Sequence, residues 1–225
     1  MSGTSTTVST TVLKSLPMFA GFSAEQMRSL AAMVTRRSAP RGSAIMHEGD
    51  AVDSLYIVIS GRLKVMMGEA DGKETILSIL GPGEFFGEMG LIDDNPRSAS
   101  VIAIEPCELL AVAKGAFRRC LVENAELAMA VMRVLVRRLR EADRKIGSLA
   151  MLDVYGRVAR LLLDMSESVN GERVVAKRLT KQDIARMIGA SREMVSKVMK
   201  DLQTSGYIEV RGSAIVLHEK SADPH

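Results

Sequence analysis

The chain has 225 residues, 47% hydrophobic and 25% charged, the balance of a folded globular protein rather than a disordered one. At roughly 100–200 residues per domain it makes one large domain or two small ones, and no apolar run approaches the roughly 18–20 residues of a membrane helix. The net charge of +3 is uneven: residues 1–153 hold 18 basic against 18 acidic side chains, and residues 154–225 hold 12 against 9. That excess in the last third suits a C-terminal part that binds nucleic acid.

Two cysteines, Cys107 and Cys120, are too few for a metal cluster, and the histidines His47, His218 and His225 are scattered. Neither a metal nor a disulfide is expected. With no tryptophan and only eight aromatics, an aromatic cofactor cage is not expected either. The opening M-S-G-T-S-T-T-V-S-T-T has no basic start and no apolar stretch, so it does not read as a signal peptide. Residues 1–12 are read as a disordered tail, and the protein as cytoplasmic with no membrane partner.

Residues 13–36 read as helical, with Ser23 and Gln26 at capping-box spacing. From about 40 to 115 short β-rich runs take over: S-L-Y-I-V-I-S, G-R-L-K-V-M-M, E-T-I-L-S-I-L, S-V-I-A-I and E-L-L-A-V. Turns at Glu48-Gly49-Asp50, Asp71-Gly72 and Gly81-Pro82-Gly83 punctuate them, which predicts a small antiparallel sandwich or barrel. In R-L-K-V, Arg62 and Lys64 alternate with Leu63 and Val65, one face wet and one buried. Residues 121–149 read as one long helix. Ala128, Met132, Leu135, Leu139, Ala142, Ile146 and Leu149 recur at steps of four and three, a heptad seam that predicts a parallel homodimer. The alternative is a helix packed on its own sheet.

Residues 153–166 form another amphipathic helix, followed by an Asn170-Gly171 turn. T-K-Q-D-I-A-R-M-I-G-A-S-R-E-M-V-S-K-V-M-K-D-L then reads as helix, turn at Gly189, and a second helix from near Ser191. Ala185 is small where the helices approach, and Ile184, Ile188, Val195 and Val198 supply the apolar contacts. Y-I-E-V-R-G-S-A-I-V-L follows as two strands around Arg211-Gly212-Ser213, a wing.

The segment F-G-E-M-G-L-I-D-D-N-P-R-S-A, residues 86–99, has a chemistry of its own. Gly87 lets backbone approach an anion, and Glu88 is an acceptor suited to a ribose hydroxyl. Arg97 offers a forked cation and Ser98 a hydroxyl to a phosphodiester. The plain alternative is a β-turn with a surface Arg–Glu pair. In the second helix of the helix-turn-helix, Arg192 and Glu193 occupy the first exposed turn, with Lys197 on the same face. Arginine can bond guanine O6 and N7 together, and glutamate can accept from cytosine N4. Gln182, Ser191 and Lys200 read as phosphate contacts, or equally as a cap and solvated surface.

The 86–99 segment and G-A-S-R-E-M-V-S-K-V, residues 189–198, in this order and spacing, resemble the cyclic-AMP receptor protein/FNR family of bacterial transcription regulators over about residues 13–218. The resemblance implies an α+β fold: a cyclic-nucleotide-binding β-roll over 13–120, a dimerisation helix over 121–149, and a winged helix-turn-helix over 150–225. It implies a homodimer on a palindromic operator with half-sites resembling TGTGA, and RNA polymerase as a partner. The segment 164–180, however, is a few residues shorter than the family's polymerase-touching loop. By resemblance Gly87, Glu88, Met89, Arg97 and Ser98 contact a nucleotide, and Arg138 partners Glu88 and the ribose. An iron–sulfur centre would need an N-terminal cysteine cluster, which is absent here, and nothing points to haem or to an enzyme.

One departure bears on the ligand. Two hydroxyl residues of the dimer helix meet adenine in the cyclic-AMP-binding members, and here those positions are Ala142 and Asp143. With Leu139 and Ile146 at position a, Arg138 and Asp143 flank the seam. A carboxylate only accepts; guanine offers N1–H and N2–H side by side, whereas adenine's N1 lone pair repels it. The residue types favour cyclic di-GMP or cyclic GMP over cyclic AMP. The alternatives are a solvated Asp143–Arg140 pair, a cyclic-AMP-responsive regulator, or a regulator that binds DNA without any nucleotide.

Overall fold

A computed structural model describes residues 10–14, 16, 19, 21–68, 74–176, 179–212 and 214–218, leaving out the side chain of Val12. Most of the tail 1–12, the Asp71-Gly72 turn, Ser213 of the wing and His225 therefore lie outside the described residues. The chain divides into two compact units, Met1–Leu139 and Arg140–His225.

In the first unit, α1 (Thr10–Lys14) and α2 (Ala24–Met33) precede two four-stranded antiparallel sheets. One runs in the order β1 (Val34–Ala39), β8 (Cys107–Ala113), β3 (Ser54–Ser60), β6 (Phe85–Phe86). The other runs β2 (Ala44–Met46), β7 (Ser100–Ala103), β4 (Leu63–Gly68), β5 (Glu74–Leu80). Tyr56, Val58, Phe86, Leu109 and Ala111 of the first sheet pack with Leu63, Leu80, Val101 and Ala103 of the second, and this is the interior of the β-roll. Alternation puts Leu55, Ile57, Leu110 and Val112 on the first sheet's opposite face. There they bury Leu30 and Ala31 of α2, Phe117 of α4 (Lys114–Glu123), and Leu127 and Val131 of α5 (Ala125–Met151).

Four local expectations change. Residues 34–36 are not the end of a helix but the start of strand β1, because β-branched Val34 and Thr35 register with Val112 and Ala111 of β8. The long helix starts at Ala125: Asn124 is extended (φ −134°, ψ 98°), and its side-chain oxygen accepts from the Leu127 amide at 2.9 Å, which closes α4 and starts α5. In β4 a bulge between Val65 and Met66 resets the alternation, so Leu63 and Met66 are buried and Val65 is half-buried. The stretch around Asn170-Gly171 is a hairpin of β9 (Glu167–Val169) and β10 (Glu172–Val175), with both turn residues at positive φ (51° and 84°), as a tight hairpin turn requires. The Ser23–Gln26 capping box forms as read.

In the second unit, α6 (Val154–Met165), α7 (Lys181–Ile188) and α8 (Arg192–Thr204) pack with a sheet ordered β11 (Ile208–Arg211), β12 (Ala214–Leu217), β10, β9. Val158, Leu162, Ile184, Ala185, Ile188, Val195, Val198 and Leu202 form its core. Thr180 and Asp183 cap the start of α7 reciprocally, and Gly189 ends it at φ 63°, a left-handed turn cheap only for glycine. Ser191 then caps α8, its hydroxyl accepting from the Met194 amide. The order helix, turn, helix, two-stranded wing is the one read from the sequence.

Candidate nucleotide site and nucleic-acid interface

The 86–99 segment runs from β6 through a sharp turn into α3 (Met89–Asp93). Gly87 stands at φ 83°, and a Cβ there would lie 2.4 Å from Arg97 Nη1, so both conformation and space demand glycine. Arg97 has only 3% of its side chain exposed. Its Nη1 donates to the Gly87 carbonyl at 2.9 Å. Nη2 donates to the Ser54 carbonyl at 2.7 Å and to Asp53 at 3.2 Å. The guanidinium lies 5.8 Å from the Tyr56 ring centroid, and Tyr56 stacks on Phe86 at 5.3 Å. Arg97 Nε is buried without a partner.

Glu88 is 3% exposed and accepts from Arg138 Nη1 at 2.7 Å. Arg138 also donates to the Phe85 carbonyl and stands 5.1 Å over the Phe85 ring. A buried carboxylate is tolerated only when so paired. Glu88 therefore joins the cassette to the long helix α5 rather than pairing with Arg97 across a surface turn. Ser98 is exposed, its hydroxyl 3.5 Å from Met89 Sδ, and Met89 itself is 52% exposed.

The cassette is anchored at both sides. Asp94, in the left-handed region at φ 62°, bonds Arg118 at 2.8 Å and Lys114 at 2.6 Å. Those hydrogen bonds, Arg118 first, hold its carboxyl at about 2. On the other side the Arg97 amide donates to Asp50 O, and the Gly49 amide donates to Arg97 O, each at 2.9 Å. A buried cation with one unused donor, an exposed hydroxyl bound only weakly to a thioether, and a paired carboxylate with a second oxygen to offer fit the phosphodiester and hydroxyl of a ribose phosphate. Arg97, Ser98 and the Gly87 backbone would hold the phosphate, and Glu88 the sugar.

On α5, Met132, Leu139, Ile146 and Leu149 of the heptad seam are 48–65% exposed in the single chain. Ala142, Asp143 and Arg140 are exposed, and among the described residues no ion pair joins Asp143 to Arg140. On α8, Val195, Val198, Met199 and Leu202 face the core, which leaves Arg192, Glu193, Lys197 and Lys200 on the exposed face. Gln182 is exposed on α7. In the wing, Arg211 is bridged to Glu172 at 2.9 Å and Glu209 at 2.8 Å. Among the described residues no group of three or more His, Cys, Asp or Glu is placed to hold a metal, and no helix is long and apolar enough to cross a membrane.

Residues 36–124 match the cyclic nucleotide-binding domain family, and residues 156–222 the Crp-like helix-turn-helix domain. The chain is 32% identical over 212 residues to the CRP-like cAMP-activated global transcriptional regulator of Mycobacterium tuberculosis, which covers 92% of this chain and 95% of that one. This chain belongs to the CRP/FNR family of transcription regulators. It is also 34% identical over 203 residues to the cAMP-activated global transcriptional regulator Vfr of Pseudomonas aeruginosa, covering 86% of this chain and 94% of Vfr. Among solved structures, the c-di-GMP responsive global regulator CLP of Xanthomonas campestris aligns with a TM-score of 0.75 at 32% identity, over 88% of this chain and 100% of that one.

Sequence reasoning missed the partners that turn Arg97 inward: Asp53, the Ser54 carbonyl and the Tyr56 ring. The only signal was a tyrosine inside an otherwise aliphatic strand.

Proposed function

We propose that this protein is a homodimeric regulator in which a nucleotide second messenger, held by Gly87, Glu88, Met89, Arg97 and Ser98, controls binding of a palindromic operator. The operator is read by Arg192, Glu193 and Lys197, with Gln182, Ser191 and Lys200 on phosphates. The carrying observation is the Glu88–Arg138 ion pair, 2.7 Å long, between the cassette and α5. A ligand that bonds Glu88 changes the partner set of Arg138 and so biases the helix through which the chain continues towards the helix-turn-helix. The exposed apolar seam of α5 supports the dimer. Leu139→Asp puts a charge into that seam; the variant sediments as a monomer and loses palindromes more than half-sites, and an intact dimer would refute the seam.

We further propose a guanine-type messenger, cyclic di-GMP first, with Ala142 and Asp143 at the base. What supports it is an acceptor-only side chain beside the seam. A second reading, cyclic AMP, is favoured by the cAMP-activated relatives. One calorimetric series with cyclic AMP, cyclic GMP and cyclic di-GMP separates them. On the guanine reading, Asp143→Ala weakens guanine ligands roughly 10- to 150-fold and leaves cyclic AMP nearly unchanged. Tight cyclic AMP binding without guanine binding ends it. Arg97→Ala abolishes binding of every nucleotide on either reading. Full operator affinity of the unliganded protein, unchanged by any nucleotide, would make the cassette structural.

A further inference from the structure

Edge strand β1 carries a second arginine, exposed, on the same face of its sheet as Tyr56. Thr35 and Tyr56 both register with Ala111, and Arg37 and Val58 both with Leu109. Alternation therefore puts Thr35, Arg37 and Ala39 on the inner face, and Ala39, Tyr56, Val58, Leu109 and Ala111 share the interior core. Arg36 and Ser38 point the other way, where both bond Glu108, at 3.0 and 2.6 Å. Arg37 has no carboxylate partner among the described residues; its guanidinium stands 5.8 Å from the Tyr56 ring centroid. Arg97 stands at the same distance from the same ring, with its buried Nε unsatisfied.

We infer that Arg37 is a second anion-binding residue of the nucleotide site, and that the ligand carries two phosphodiesters: a cyclic dinucleotide rather than a cyclic mononucleotide. This rests on the nucleotide reading above and deepens it. Two like charges share one aromatic ring, and Asp53 already offsets Arg97. A single phosphodiester is met by Arg97 Nε and Ser98. Arg37 is then a full cation in excess, with a planar fork shaped for a second phosphate. The π-face of Tyr56 preorganises both guanidinium groups and lowers the ordering cost of binding.

The test is calorimetric titration of the full-length protein, Arg37→Ala and Arg97→Ala with cyclic di-GMP, cyclic di-AMP, cyclic AMP and cyclic GMP. Arg37 is exposed, so Arg37→Ala folds; an unchanged thermal midpoint confirms it, and Arg37→Lys, which keeps the charge, restores part of the affinity. Arg37→Ala is expected to weaken both dinucleotides about tenfold and leave both mononucleotides unchanged. Unchanged dinucleotide affinity, an equal loss for mono- and dinucleotides, or no wild-type dinucleotide binding overturns the inference. If Arg97→Ala loses every nucleotide while Arg37→Ala loses none, this inference fails and the nucleotide reading stands. If Arg97→Ala keeps them all, the nucleotide reading itself fails.

Discussion

The nucleotide cassette and the recognition helix use the same residue types in opposite ways. In the cassette, Glu88 and Arg97 are 3% and 4% exposed, each tied to named oxygens or a named cation. On α8, Arg192, Glu193, Lys197 and Lys200 are all exposed. The cassette has met the cost of desolvation during folding, so its charges are held by named protein partners, and a ligand gains access to them by exchanging those partners. The recognition face keeps its charges hydrated. On the proposed reading it binds DNA through release of counterions, which is fast, salt-sensitive and tolerant of sliding. A small ligand selects by fixed geometry; a long DNA is first attracted and then read.

This contrast breaks first at Glu88. Glu88→Ala leaves Arg138, among the described residues, with the Phe85 carbonyl and a ring face. The expected loss of stability is about 3 kcal/mol, the lower end for breaking a buried pair, because Arg138 keeps 26% of its side chain in water. Denaturant unfolding measures it, and a loss below about 1 kcal/mol, typical of surface pairs, would make the cassette no different from the DNA face. Nucleotide binding falls in the same variant.

Arg192→Ala is the matching test on the other side. It should leave unfolding within about 0.5 kcal/mol, as exposed substitutions do. Operator binding should weaken by about 1–3 kcal/mol, with relaxed preference for one guanine. Footprinting on operators varied at single positions reads both effects. An unaltered base preference would place the recognition face elsewhere.

How far each region was legible in the sequence follows from the same contrast. The helix-turn-helix is built from local signals: Thr180 and Ser191 as caps, Gly189 at φ 63°, and an apolar stripe at helical spacing. Its residues speak to neighbours three and four positions away, and the helix, the turn at Gly189 and the second helix from near Ser191 are legible in the sequence, although sequence reasoning missed the Thr180 cap. Residues 34–36, the start of strand β1, read as the end of a helix because Val34-Thr35-Arg36 follows α2 without a breaker; what makes them a strand is pairing with β8, more than seventy residues on. The inward fork of Arg97 depends likewise on Ser54 O, forty-three positions back. Glycine at 87 was readable as a close approach, but which group approaches was not. Asn124, which starts α5, carried a local cap signal that the heptad pattern masked.

The smallest effect sharpens the comparison most, because it separates attraction from reading. Lys200 is exposed on α8, two turns beyond Arg192, and is proposed to meet a phosphate rather than a base edge. Lys200→Ala should therefore weaken all DNA sequences alike, with the ratio of operator to non-specific affinity preserved. Each phosphate contact releases condensed counterions, so the slope of log affinity against log salt should fall by about one per subunit. Stability and nucleotide affinity should be untouched, since Lys200 is exposed and no buried group among the described residues bonds its ammonium. Fluorescence anisotropy over a salt series, on operator and on scrambled duplex, measures both quantities together. A loss confined to the operator would move Lys200 from the attracting set to the reading set, and an unchanged slope would take it off the DNA altogether.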